Sequence, residues 1–433
     1  MGFVSRGHLD IGDDGHLLIG RMDVVQLAKE YGTPLYIVNA ERIRQNYRRF
    51  FRALHNHYPK VFICYVYKAN PNLAVCKVLE REGAGAEVVS GGELYIASLV
   101  GVKPDKIVFN GVSKSLDELQ MAVDLKVGLI NVESIEELHR LNEISMKAGI
   151  KTPVGIRLNL DIPALTHDFI STGLQKHKFG LDVNEAFKAF ETANQLDHLV
   201  FRGVHAHIGS QITEIEPFRQ EVIKLLDFVG LLKNKLGVDI ECIDLGGGLG
   251  IKYGETSRAL TPEEYATAII PVVRDKINEY GLNEPTLISE PGRYLVADSS
   301  ILVSQVNYVK KVGDVSWALI DAGMNDFLRP ALYRAQHRMV VANKALREPA
   351  QTYNVGGPIC ESADVFGDNQ MFPEIENGDI LALLDAGAYG FSMSSQYNSR
   401  PRAAMVMVDN GIVKVVRRRE TYEDLVACDI FTE

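Results

Sequence analysis

The feature that most constrains this chain is an eightfold alternation of strand-like and helical segments between Tyr36 and about Pro291. The strand candidates are 62–67, 86–89, 106–109, 128–132, 154–158, 201–205, 241–245 and 287–290. Between them, segments such as 73–82, 116–125, 134–148 and 218–236 carry apolar residues at helical spacing. Eight strands separated by helices or short connections predict an α/β fold of the (β/α)8 barrel type. The rival is an open doubly wound sheet. Its phosphate loop should follow the first strand, yet Tyr67-Lys68-Ala69-Asn70-Pro71 has no glycine.

After Arg293 the texture changes to alternating or apolar runs joined by turns, and Asp409-Asn410-Gly411 between two such runs is a hairpin signal. The chain of 433 residues is long for a single core. The expected division is a barrel over 33–292 and a mostly β domain made of 1–32 and 293–433, the latter carrying substrate and dimer contacts. The stretch through Ile19 is too short to stand alone and is expected to add strands to that domain.

Composition excludes several classes of function. Apolar residues make up 46% and charged residues 24%, which suits a globular protein, and a net charge of −10 argues against nucleic acid or anionic membrane as a partner. No apolar run is long enough to span a bilayer, and the polar first residues lack the apolar core of a signal peptide. Five scattered cysteines, none at C-x-x-C spacing, point to reduced thiols and a cytoplasmic location.

A barrel builds its reactive face from the carboxyl ends of its strands. Those ends carry Lys68, Ser90, Asn110, Glu133, Arg157 with Asn159, His205 with His207, Gly246-Gly247-Gly248, and Glu290 with Arg293. A barrel built only for stability has no need of so many polar groups there. Lys68 closes an apolar run, where a desolvated amine becomes a nucleophile toward carbonyls, the Schiff-base use of lysine. The glycine triplet follows the seventh strand, where barrel phosphate sites recur, and Glu290-Pro291-Gly292-Arg293 adds a carboxylate and a second anion contact. His205 and His207 share a face, as in barrel metal sites, but the only later histidine is His337, in the β domain, which argues against a metal. These parts suit a phosphorylated pyridine aldehyde, with Lys68 attached to it and Glu290 near the ring nitrogen.

Tyr67-Lys68-Ala69-Asn70, Ser90–Leu94, the segment from His205 to Gln211, Gly246–Gly248, Glu290–Arg293, Cys360-Glu361-Ser362 and Asp385–Gly390 together resemble the pyridoxal-phosphate decarboxylases of the alanine-racemase fold. Within that group the chain resembles the diaminopimelate decarboxylases, and the Thr166–Gly173 stretch strengthens the likeness. The resemblance implies pyridoxal 5'-phosphate on Lys68, stacked by His207 and held by Ser210, Gly246, Gly247, Gly248, Pro291, Gly292 and Arg293. Glu290 would face the pyridine nitrogen and Tyr389 would close over the cofactor. Cys360 would be the proton donor, and Arg293, Arg329, Tyr333, Glu361 and Tyr389 would bind substrate. It implies conversion of meso-2,6-diaminopimelate to L-lysine and CO2 by a homodimer whose sites are shared across the interface. The alternatives are a related decarboxylase acting on ornithine, lysine or arginine, a racemase, or a non-catalytic cofactor-binding protein. Ala206, Leu160 and Glu87 depart from the family pattern.

Overall fold

The computed structural model describes residues 6–163, 178–254 and 258–431. The chain divides into two compact units, Asn46–Ile251 with Arg258–Tyr294, and Met1–Gln45 with Lys252–Ser257 and Leu295–Glu433.

The first unit is a closed barrel of eight parallel strands. In chain order they are Val61–Val66, Gly85–Val88, Ile107–Phe109, Leu129–Val132, Thr152–Arg157, Leu199–His205, Cys242–Asp244 and Thr286–Ser289. Each falls within about two residues of its predicted place. The strands read as near-continuous apolar runs because both faces are covered, one by the barrel interior and one by helices. Helix starts are set by side-chain caps: Ser90, Ser115, Ser134, Asp182 and Thr261 each accept a backbone N–H of the first turn. Ser90, read as a strand-end candidate, is therefore a helix cap.

Inside the barrel the side chains form layers. Cys64, Val108, Leu129, Cys242 and Ile288 make an apolar layer with Phe62 packed against it. Two residues further along four of these strands, on the same inward face, stand Asn110, Asn131, Asp244 and Glu290. One step of the strand period thus converts a packed floor into a polar one.

The second unit is mostly β. Its nine-stranded sheet runs Val365–Phe372, Gln351–Gly356, Val315–Ile320, Ser300–Val312, Leu35–Asn39, Ala404–Asp409 and Ile412–Arg417, with Ile380–Leu383 paired to Ser300–Val312 and Met339–Val341 paired to Ile380–Leu383. Strand Leu35–Asn39 pairs with both Ser300–Val303 and Ala404–Val408, so the unit extends past the boundary expected at residue 33. The first strands, Leu9–Ile11, Leu17–Ile19 and Met22–Asp23, form a small sheet of their own instead of joining the large one. The hairpin at Asn410-Gly411 forms as predicted, with both residues at positive φ. All five cysteines are free thiols.

Candidate active site

Lys68 lies on a short 3-10 turn directly after the first barrel strand. Its side chain is 42% exposed, with Nζ 4.0 Å from Glu87 Oε2. This corrects the expectation of a buried amine. The strand stops at Val66 and the turn carries the long side chain out of the packed interior.

Beneath it is a dry carboxylate cluster. Glu87, Asp244 and Glu290 are 1%, 0% and 5% exposed, with His205 at 1% among them. Asn110 donates to Glu87 Oε1 at 3.0 Å and Glu290 Oε1 at 2.6 Å. Asn131 donates to Asn110 Oδ1 at 2.8 Å and reaches Asp244 Oδ2 at 3.4 Å. One donor atom from each of His205, Asp244 and Glu290 lies within 4.8 Å of the others, a spacing that could hold a cation. Amide N–H groups aimed at these carboxylates already serve them, which is the wrong polarity for a metal's surroundings.

The acids in this cluster separate into two charge states. Burial pushes the Asp244 carboxyl well up, reinforced by the negative charge of Glu290. Burial also raises Glu87, against the pull of Lys68. Burial works the same way on Glu290, but there it is outweighed by His205, a hydrogen bond from Asp244, and Lys68, so Glu290 stays ionised. His205 itself is kept neutral by burial, and its Nε2 is 3.5 Å from Glu290 Oε2. Its help to Glu290 is therefore an N–H dipole and not a full positive charge. A protonated acid beside an ionised one is the arrangement expected when like charges cannot both be held in a dry site.

His207 follows on the same strand end. Gly247 N–H donates to its Nδ1 at 3.2 Å, and burial with the nearby Lys68 and Arg157 holds the imidazole well below its ordinary value. The ring is neutral, with its proton on Nε2. Gly246 N–H donates to Asp244 Oδ1 at 3.0 Å. The first two glycines of the triplet thus orient Asp244 and His207, and the third has neither duty. Glycine is required at these positions: a Cβ on Gly247 would run into the Glu290 carbonyl, and Gly246 and Gly248 sit at φ of +57° and +110°. Arg293 Nη2 donates to Ser210 Oγ at 2.9 Å, beside Gly292, whose missing Cβ leaves room against Val66 and Ala69. Pro291 is buried at the same strand end.

Two other strand ends have partners of their own. Arg157 Nη1 donates to Glu133 Oε1 at 2.9 Å, Gly180 N–H donates to Glu133 Oε2 at 2.9 Å, and Asn159 Nδ2 donates to the Phe179 carbonyl at 3.0 Å. They tie down the chain just after the segment 164–177, and Thr166–Gly173 lies outside the described residues.

The remaining expected site residues belong to the β unit. Cys360 and Glu361 are exposed. Cys360 N–H donates to Asn398 Oδ1 at 2.9 Å, and Tyr397 Oη donates to Glu361 Oε1 at 2.5 Å. Arg329 is only 4% exposed, with Nη1 2.9 Å from His337 Nε2 and its guanidinium carbon 4.4 Å from the centre of the Tyr253 ring. Tyr333 is on the same short helix, Arg329–Tyr333. A cavity of about 790 Å³ beside this helix is lined by Tyr253, Arg334, His337 and Arg338 among others. Tyr389 is half-buried at φ +56°. Asp244, Asn131, His337, Tyr397 and Asn398 were not read as functional. The signal for the first two was available: each stands two residues beyond an inward apolar residue.

The barrel site fits pyridoxal phosphate in its donor set. It has an amine at the rim, an ionised buried carboxylate, a neutral imidazole, and a glycine-arginine-serine corner suited to an anion. Residues 42–297 match the family described as pyridoxal-dependent decarboxylase, pyridoxal binding domain. The chain is 46% identical over 417 residues to the diaminopimelate decarboxylase of Methanothermobacter thermautotrophicus, covering 96% of each. It is 40% identical to that of Vibrio cholerae, covering 96% of this chain and 97% of the relative. A crystal structure of the M. jannaschii diaminopimelate decarboxylase in co-complex with L-lysine superposes with a TM-score of 0.93 at 42% identity, covering 98% of each chain. The chain belongs to the diaminopimelate decarboxylase family of pyridoxal-dependent decarboxylases.

Proposed function

We propose that this protein removes a carboxylate from meso-2,6-diaminopimelate to give L-lysine and CO2, the last step of lysine biosynthesis. The observation that carries the reading is the near full-length match to diaminopimelate decarboxylases by a chain whose barrel places Lys68, His207 and an ionised Glu290 together.

Lys68, His207, Ser210, Gly248, Gly292 and Arg293 would hold the cofactor, with Glu290 toward its ring nitrogen and Tyr389 closing over it. Gly246, Gly247 and Pro291 belong to the same set, shaping its wall. When bound, pyridoxal phosphate supplies an electron-poor ring that accepts the electron pair left as CO2 departs. Glu290, ionised in a dry site, stabilises a proton on a neighbouring nitrogen. Neutral His207 presents a flat apolar face without adding positive charge. Glu87, raised by burial and close to Lys68 Nζ, is suited to exchange a proton with that amine.

Cys360 would return the proton to the substrate carbon. Arg293, Arg329, Tyr333, Glu361 and Tyr389 would bind the substrate. Among them Arg329 offers a charge-assisted contact to the distal carboxylate. The working form would be a homodimer in which Cys360 and Glu361 complete the partner's site. The exposure of both residues and their fixed hydrogen bonds to Asn398 and Tyr397 support this. No helix among the described residues is long and apolar enough to cross a membrane, and free thiols together with a biosynthetic role support a cytoplasmic location.

The test is CO2 release from a panel of diamino acids with product chirality measured. Turnover of meso-diaminopimelate to L-lysine, with lysine and ornithine roughly 10⁴-fold poorer, is expected of a site that pairs a second carboxylate. Equal turnover of lysine or ornithine would refute the assignment.

A further inference from the structure

Asn110 directly follows the third barrel strand, is 3% exposed, and has no part in the scheme above. Its two N–H bonds go to two different carboxylates, Glu87 at 3.0 Å and Glu290 at 2.6 Å, while its oxygen accepts from Asn131 at 2.8 Å. A carboxamide has two N–H donors on one side and a carbonyl on the other. Turned over, it would aim its oxygen at both carboxylates and its N–H groups at the Asn131 donor. The orientation is therefore fixed by its partners. Glu87 in turn is 4.0 Å from Lys68 Nζ. One buried side chain thus spans the distance from the carboxylate beside the reactive lysine to the carboxylate assigned to the ring nitrogen.

We propose that Asn110 is a positioning residue that couples Glu87 to Glu290, holding both carboxylates in place and making a change of charge at one felt at the other. The inference rests on the pyridoxal-dependent reading of the barrel site. Glu87, raised by burial, and ionised Glu290 share one dry cavity, and an amide donor bonded to both fixes where each oxygen points and ties the charge of one to the charge of the other. The charged and titratable groups whose charges act on Glu87 and Glu290 are Cys64 on the first strand and Lys68 after it, Glu93 at the helix following the second, His205 and His207 at the end of the sixth, Glu221 on the helix 216–236 that follows, and Asp244 on the seventh. Asn131, which supports the Asn110 carbonyl, is uncharged.

The test is the pH titration of the visible absorbance of cofactor bound to Lys68, in holoenzyme carrying Asn110→Ala or Asn110→Asp. Alanine removes both donors, so Glu87 holds its proton more tightly and negative charge beside the lysine falls. The midpoint should move to lower pH by about one unit. Aspartate adds negative charge, and the midpoint should move to higher pH by a similar amount. In both variants kcat should fall at least about tenfold with KM changed much less, because the contacts to substrate remain. Displacements of opposite sign from one position support coupling. Wild-type midpoints in both variants, or two displacements in the same direction, overturn it. If the aspartate variant does not fold, Asn110→Ser replaces it: with one donor it must titrate between wild type and alanine, and equality with alanine overturns the proposal. Wild-type enzyme without visible absorbance would instead overturn the cofactor reading itself, a result distinct from normal absorbance with unmoved midpoints.

Discussion

The backbone N–H of Gly247 donates to Nδ1 of His207 across 3.2 Å, and this one bond decides which face and which charge the imidazole presents. An N–H pointed at Nδ1 requires a lone pair there, so the ring proton sits on Nε2. Burial lowers the pKa in the same direction. Nitrogen NMR of the holoenzyme at pH 6 should show a neutral ring with the Nε2–H tautomer; an imidazolium signal would contradict the geometry. With ring stacking worth about 0.5–1.5 kcal/mol, His207→Ala should bind cofactor about two- to tenfold more weakly.

Lys68 should be the only point of covalent cofactor attachment. Borohydride reduction followed by peptide mapping should place the label on Lys68. Lys68→Ala should retain cofactor only non-covalently and lose at least about 10³-fold in kcat. A label elsewhere, with activity intact in the alanine variant, would remove Lys68 from the chemistry.

Arg329 is held by His337 and lies over Tyr253, so it is already oriented by its own unit. His337 Nδ1 is 2.9 Å from the Leu384 carbonyl, so that nitrogen carries the ring proton and Nε2 accepts from Arg329. Arg329→Met should cut kcat/KM for diaminopimelate by roughly 10³-fold or more while leaving the cofactor spectrum unchanged. His337→Ala should give a smaller loss of the same kind, about tenfold, because it frees the guanidinium without removing it. A normal kcat/KM in the methionine variant would take Arg329 out of substrate recognition.

Cys360 and Lys68 should complement each other between subunits. Lys68→Ala and Cys360→Ala homodimers should each be nearly inactive. Mixed and reassembled, half the dimers should be hybrids with one intact site of two, so activity should recover to about a quarter of wild type. Failure to recover, with subunit exchange confirmed, would place both residues in one subunit's site. Asn398→Ala, which releases the Cys360 backbone, should slow kcat by about tenfold without altering cofactor content.

Asp326 should make the β unit less stable as pH rises. It is 2% exposed, and burial pushes its carboxyl up to about 7. The unfolded chain ionises at lower pH than the folded one. Stability from this group is therefore complete below about pH 4 and is lost as pH rises toward 7, at about 1.4 kcal/mol per unit of pKa difference. Asp326→Asn keeps an acceptor for the Gly323 N–H and cannot ionise. Its thermal midpoint should match wild type at pH 4 and exceed it at pH 8. An unchanged difference between the two pH values would refute the buried titration.

The sequence by itself determined the barrel and much of its rim. Parallel strands covered on both faces have to be short apolar runs, and a polar residue at the end of each run stands out: Lys68, His205, His207 and Glu290 could be read that way. Only the tertiary structure decided what those ends do. Ser90 turned out to cap a helix and Glu133 to bind Arg157 and Gly180, because a hydroxyl or carboxylate serves a cap, an ion pair or a cofactor equally well. The spacing of Asp244 and Asn131 puts them on the inward face, but one polar residue within a strand carries no mark of its neighbours across the barrel, where Asn110 joins Glu87 to Glu290. Strand Leu35–Asn39 lies within the stretch 33–292 expected to form the barrel and yet pairs with Ser300–Val303, some 260 residues along the chain. Apolar periodicity specifies that a strand will form and which face it buries; the sheet that receives it is chosen by contacts that the local sequence does not encode.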